Sequence, residues 1–248
     1  MKKEFRLVGL MLMAVVSLGL VACGSDGDGD KDDGVDTTPI SLLAGKEKVI
    51  QGADTISTSN KFVAYATKNT VHAWHVGEAA LLVNGKKTIS ISVLPVYHLY
   101  DDPICEWGCN VNYVKNNQKQ GTFSSKSTND KLVYEDAGAA TMLMYMFENN
   151  KLKGIGAVVS TNHTTQYTNY LLERFLMLPY YKGSETYFIG ADGIELKEAK
   201  TAIVLQVYNA NYLMAAYMPA SDYSSSTRSA QDENEIVSRI KSVIDQLQ

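Results

Sequence analysis

The sequence predicts a small all-β sandwich followed by an α+β domain of two tandem αββββ units with antiparallel sheets, closed by a C-terminal amphipathic helix. Three patterns carry that expectation. Residues 39–95 break into short apolar or alternating runs separated by Gly and Asn. Residues 110–218 spell a helix and then four strands, twice over. The last 18 residues place Ile236, Ile240, Val243 and Leu247 on one stripe of a helix.

The chain opens as an export signal. Lys2, Lys3 and Arg6 precede a 14-residue apolar run from Leu7 to Leu20, too short for a comfortable membrane span and therefore read as a cleaved signal, residues 1–22. Leu20-Val21-Ala22-Cys23 then resembles the lipobox of bacterial lipoproteins. That resemblance implies diacylation of the Cys23 thiol, cleavage before it and acylation of the new amino terminus, with palmitate-type chains. Two or more chains anchor a protein stably where one holds it only marginally. Residues 23–38 form the lipidated cysteine and a disordered acidic tether, since Gly24–Asp36 holds six Asp and four Gly and has almost nothing to bury. An EF-hand loop starting at Asp26 is excluded, because Lys31 and Thr37 stand where Gly and Glu are needed. The acid-rich stretch behind Cys23 is similar to the signal that sends lipoproteins of some Gram-negative anaerobes to the outer face of the outer membrane. The expected location is thus the outer membrane, lipid-anchored and surface-exposed.

In residues 39–95 the strand candidates are Ile40–Leu43, Lys46–Gln51, Phe62–Thr67, Ala79–Val83 and Thr88–Leu94. Asn84-Gly85 between the last two is a hairpin signal, because both residues tolerate positive φ. Leu42-Leu43-Ala44-Gly45-Lys46, Val71 through Val83, and Ile89-Ser90-Ile91-Ser92-Val93 resemble the bacterial Ig-like group-two pattern, with Gly77 at its second glycine and Ala73 in place of the first. The resemblance spans about 55 residues. It implies a trimmed Ig-like domain, a type used as spacer or adhesion module on bacterial surfaces.

Residues 96–222 form the second domain. Asn110 caps a short helix carrying Val111 and Val114, followed by strands at Gly121–Ser127, Lys131–Glu135, Thr141–Glu148 and Leu152–Ser160, with Asn149-Asn150 as a turn. Asn162 is read as the cap of a second helix, His163–Leu176. Strands then follow at Pro179–Lys182, Thr186–Gly190, Thr201–Tyr208 and Tyr212–Met218, the last two joined by Asn209-Ala210-Asn211. Phe147 and Tyr208 stand 61 positions apart before equivalent turns. This order resembles the tandem fold of the β-lactamase-inhibitor protein family, a likeness of elements and not of motifs. A serine-rich linker leads to the helix within residues 229–248.

Charge and motifs exclude several functions. The net charge is −4, and removing a signal region of +2 leaves about −6, the wrong sign for phosphate backbones, so no nucleic-acid partner is expected. G-x-S-x-G, H-E-x-x-H, P-loop and dinucleotide fingerprints are absent, and Ser238-Arg239-Ile240-Lys241 lacks the companions of an S-x-x-K enzyme. The expectation is a protein without catalysis, cofactor or metal. On a strand, the His72 and His75 rings of H-x-x-H point to opposite faces, which does not suit zinc. Cys105 and Cys109 are the thiols of the domains; outside the cytoplasm an even count favours a disulfide, with two free thiols as the alternative. Trp107, Tyr180 and Tyr181 are the aromatic candidates for ligand stacking, against a packing role. Thr37 and Thr55 follow Asp in the short pattern of O-glycosylation acceptors of anaerobes' exported proteins. Met142, Met144 and Met146 alternate with Leu143, Tyr145 and Phe147, so both faces of that sheet are apolar and both need cover. The functional expectation is a lipid-anchored envelope protein presenting a binding surface for protein or polysaccharide. The alternatives are a hydrolase inhibitor of protease or lactamase type, or a structural or adhesion component of the envelope.

Overall fold

The computed structural model describes residues 34–182 and 185–223. The signal, Cys23, most of the acidic tether and the C-terminal helix expected from the sequence lie outside them. What is described is predominantly β structure in antiparallel sheets.

Seven strands build the first part: β1 Ile40–Leu43, β2 Glu47–Val49, β3 Ile56–Thr58, β4 Ala64–Thr67, β5 Thr70–Ala73, β6 Gly77–Val83 and β7 Lys87–Leu94. One sheet has the order β1-β7-β6-β3, with β1 parallel to β7 and the other pairs antiparallel; a second has the order β2-β5-β4. β7 shows why the segment is a strand. Ile89, Ile91 and Val93 are buried while Ser90 between them is exposed, a period of two that fits one dry face. Both sheets contribute to one core containing Ile40, Phe62, Val71, Leu81, Val83 and Ile91. Asn84 and Gly85 take φ of 52° and 68° in the β6–β7 turn, which the Lys86 N–H closes onto the Val83 carbonyl at 3.0 Å.

Two expectations change here. β4 starts at Ala64 and not Phe62, because Asn60 Oδ1 accepts the Phe62 and Val63 N–H groups at 3.0 and 3.4 Å and turns the chain. β3 and β5 are not among the strand candidates, although His72 of β5 is read as lying on a strand; Ile56-Ser57-Thr58 carries a single apolar residue and so shows no alternation.

The second part contains α1 Val111–Asn117, β8 Thr122–Phe123, β9 Lys131–Ala137, β10 Ala140–Glu148, β11 Lys151–Ser160, a 3-10 turn at Thr161–His163, α2 Thr164–Leu172, β12 Leu176–Lys182, β13 Glu185–Ala191, β14 Thr201–Asn209, β15 Tyr212–Pro219 and α3 Ala220–Tyr223. All eight strands form one antiparallel sheet, β12-β13-β14-β15-β11-β10-β9-β8. Helix and four strands thus occur twice, and the two meanders meet where β11 pairs with β15. β10 and β14, like β11 and β15, begin 61 positions apart. At the seam Gly156 faces Ala216 and Ala157 faces Ala215, small residues that leave room for the layers above and below.

One sheet face carries Leu143, Tyr145, Ile155, Val159, Ile203 and Tyr217 against Val114 of α1, Tyr167, Tyr170 and Leu171 of α2, and Tyr100. The opposite face carries Val133, Met142, Met144, Met146, Val158, Met214 and Ala216. α1 is capped as expected, the Tyr113 N–H donating to Asn110 Oδ1 at 2.9 Å. α2 differs from the sequence reading. Ser160 Oγ accepts the Asn162 N–H, Asn162 itself does not cap, and the helix ends at Leu172 because Leu176 already pairs with Ala191 at the sheet edge. β8 is shorter than its predicted run because Ser127 Oγ accepts the Val133 N–H at 2.9 Å in place of a ladder bond.

Candidate functional site

The outer face of the β2-β5-β4 sheet presents a row of side chains set by register: Glu47 opposite His72, and His72 opposite Tyr65. Trp74 lies two residues beyond His72 and therefore on the same side. The Tyr65 ring stacks on His72 at 4.8 Å between centroids, with 16° between planes, and meets Trp74 edge-on at 5.9 Å and 84°. His72 Nδ1 lies 3.2 Å from a Glu47 carboxylate oxygen. Tyr65 is 41% exposed and Trp74 39%, high values for rings already packed against neighbours.

Burial behind the platform fixes it. His75 stacks on Phe62 at 3.9 Å, nearly parallel, and donates from Nδ1 to the Phe62 carbonyl at 2.8 Å. Burial pushes its imidazole below the ordinary value, partly offset by that bond, so the ring is neutral at pH 7. Trp74 rests on this ring at 4.5 Å. The Trp74 N–H and the His75 N–H both donate to the Val63 carbonyl, at 2.9 and 3.2 Å. The rings are thus held in place by contacts within the fold.

His72 and His75 enter separate contacts, one with Tyr65 and Glu47 and the other with Phe62. Two carboxylates of the second part have structural partners: Asp102 accepts from Arg174 Nε at 2.5 Å and from the Tyr170 hydroxyl at 2.7 Å, and Glu135 accepts from the Ser124 hydroxyl at 2.8 Å. A buried hydroxyl network joins Tyr100 to Tyr217 at 2.8 Å and to Tyr167 at 3.2 Å.

The sequence-derived candidates fall in different places. Trp107 packs against the main core and donates from Nε1 to the Thr201 hydroxyl at 3.2 Å, so its ring is not a free stacking surface. Tyr180 is exposed on the edge strand β12, whereas the side chain of Tyr181 lies outside the described set. The three are not brought together as a site. Cys105 and Cys109 are free thiols, and the bond favoured from their count is not formed. Cys105 interacts instead with the Thr201 hydroxyl, and burial pushes its thiol up to about 12; burial and the Glu106 carboxylate also raise Cys109. Thr37 and Thr55 are both exposed. Asp36 beside Thr37 is held below the usual carboxylate range by the Thr38 hydroxyl and N–H.

A groove of about 540 Å³ opens between the start of α1 and the β10–β11 turn, lined by Asn112, Lys115, Asn129, Asp130 and Asn149 among others. Several groups at its wall are engaged in the fold: Asn150 Oδ1 accepts the Val111 N–H at 3.3 Å, and Lys115 lies over the Phe123 ring. In the sequence Trp74 belongs to the Val71–Val83 segment of the Ig-like resemblance, and its ring is not among the stacking candidates. The available signal was Tyr65, His72 and Trp74 alternating with Ala64, Ala66, Val71 and Ala73, small and apolar residues that claim the inner face.

Comparisons of the chain with protein-family models, curated proteins and solved structures return no match. Among the described residues no helix is long and apolar enough to cross a membrane, and no group of three or more His, Cys, Asp or Glu is placed to hold a metal ion.

Proposed function

We propose that the protein is a non-enzymatic lipoprotein of the cell envelope that binds polysaccharide through the Tyr65–His72–Trp74 platform, held at the outer-membrane surface by lipid on Cys23. In this reading residues 39–95 are a trimmed Ig-like module and residues 96–222 a tandem αββββ domain. The observation that carries the binding assignment is the pair of exposed aromatic rings fixed at right angles beside a His–Glu pair. Aromatic faces receive the C–H surfaces of sugar rings, and the polar pair supplies hydrogen bonds to hydroxyls. The lipobox and the acidic stretch support the location.

A glycan array, followed by affinity measurement of Trp74→Ala against the parent, tests the binding. Loss of one stacking ring, about 1.5 kcal/mol, weakens retention roughly tenfold. Absence of any retained glycan, or equal retention by Trp74→Ala, refutes it.

A second reading, inhibition of a protease- or lactamase-type hydrolase, draws on the doubled helix-and-four-strand order in one sheet. Mixing with such enzymes and finding full activity removes it. The reading as a structural or adhesion subunit requires self-association in size-exclusion runs.

A further inference from the structure

Two ring planes meeting at 84°, with centroids 5.9 Å apart, bound an open corner, Tyr65 on one side and Trp74 on the other. Both walls are backed: Tyr65 stacks on His72 and Trp74 rests on His75. About two fifths of each residue still meets solvent. Gly45 lies beside them on the β2 side, its N–H donating to the Ala73 carbonyl at 2.8 Å, and a Cβ added there would meet nothing within 4 Å. The corner is therefore open from that side. Its charge is one-sided as well. Strand alternation sets Glu47 and Val49 of β2, Tyr65 and Thr67 of β4, and Thr70 and His72 of β5 on this face, with no Lys or Arg among them. Glu47 brings a carboxylate to the row, and aromatic faces carry the negative part of a quadrupole.

We propose that the sugar taken by this platform is cationic, an amino or quaternary-ammonium sugar whose nitrogen sits in the Tyr65–Trp74 corner. This deepens the polysaccharide reading and rests on it. An ammonium in contact with both ring faces, about 4 Å from each plane, lies within roughly 6 Å of both centroids, the range of cation–π attraction. Tryptophan is the strongest aromatic partner for such a cation. Glu47 adds a longer-range attraction that salt screens. A uronate or sulfated sugar meets the reverse, since the Glu47 carboxylate and two electron-rich faces repel an anion. A neutral N-acetylated sugar stacks on the rings but gains nothing from their charge. Two exposed rings together give the cation a preference of about fivefold over that neutral analogue.

The test has two arms, both on the full-length protein near neutral pH. In the first, tetramethylammonium chloride is titrated against sodium chloride at equal ionic strength while the indole N–H signals are followed by nuclear magnetic resonance. Trp107, whose indole N–H donates to the Thr201 hydroxyl at 3.2 Å, is the internal control. The Trp74 signal is expected to move and that of Trp107 to stay; movement of both, or of neither, overturns the proposal. In the second arm, calorimetry compares hexamers of trimethylated glucosamine, N-acetylglucosamine and galacturonate. The trimethylated hexamer should bind about fivefold tighter than the acetylated one, with galacturonate weakest. Glu47→Gln should cut that preference about twofold, and Tyr65→Leu should remove most of it. Equal binding of the acetylated hexamer, or a preference that survives Tyr65→Leu in a folded variant, overturns the cationic assignment and leaves the polysaccharide reading standing. No binding by any hexamer, with Trp74 still moving in tetramethylammonium, defeats the polysaccharide reading and upholds the cation corner.

Discussion

Glu173, the residue just after α2, ties the first part of the molecule to the second, and its removal should be felt well beyond the surface. Its carboxylate accepts the Val96 N–H at 3.1 Å to each oxygen and the Tyr97 N–H at 3.0 Å, and its backbone carbonyl accepts the Val76 N–H at 2.7 Å. The side chain is only 12% exposed. Hydrogen bonds to a charged group contribute about 1.5–3 kcal/mol each. Val96 is 46% exposed, so water replaces much of its bond, whereas Tyr97 is half-buried and its N–H is left poorly satisfied. Glu173→Ala is therefore expected to cost about 2–3 kcal/mol, while the Val76 bond, made by the backbone, survives. For a structured unit of this size each kcal/mol moves the melting midpoint by roughly 2–4 °C, which gives a fall of about 5–10 °C. Glu173→Gln retains an acceptor without charge and should lose roughly half as much. Differential scanning calorimetry of the parent, both variants and the exposed control Glu78→Ala makes the comparison. A Glu173→Ala midpoint within about 1 °C of the parent refutes the argument that this carboxylate joins the two parts.

Two further outcomes follow from burial. Tyr100, Tyr167 and Tyr217 are raised well above the ordinary tyrosine value of 10.0, first by burial and then by their mutual interaction, so they stay neutral in the folded protein while the unfolded chain ionises. The unfolded state then holds fewer protons; stability is complete below about pH 10 and declines as pH rises beyond it. Tyrosinate absorbance should show these phenols titrating only as circular dichroism reports unfolding, and free titration of all 15 tyrosines in a folded protein contradicts this. For the thiols, iodoacetamide should modify Cys109 ahead of Cys105, whose thiol is held near 12, with Cys105 reacting fully only on unfolding. Equal rates, or no alkylation of either residue before reduction, refute the free-thiol description.

Much of the sheet was legible in the sequence because long strands advertise themselves. β10, β11, β14 and β15 have eight to ten residues each, enough for the periodicity to show, and the turn read at Asn149-Asn150 forms with positive φ at both residues. Short elements were legible only in part: β1, β2 and β4, of three or four residues, fall within strand candidates, β3 and β5 do not, and β8 has two residues of the run read at Gly121–Ser127. Helix α2 was read four residues too long because Phe175 and Leu176 continue the apolar spacing, although Leu176 is claimed by pairing with β13. Of the candidate site, the sequence contained the residues but not their association. Tyr65 and His72 meet through strand register and Trp74 through a ring contact, neither of which a linear spacing encodes.

The sequence by itself determined the β-rich class, the hairpin at Asn84-Gly85 and the cap at Asn110, because each depends on local backbone preference or on a period within one segment. Tertiary structure alone decided that the two meanders share one sheet through β11 and β15, that Trp107 turns inward to Thr201 while Trp74 remains at the surface, and that Cys105 meets Thr201 instead of Cys109. Those outcomes depend on which distant side chains compete for the same space, and that competition exists only once the sheets have closed on their cores.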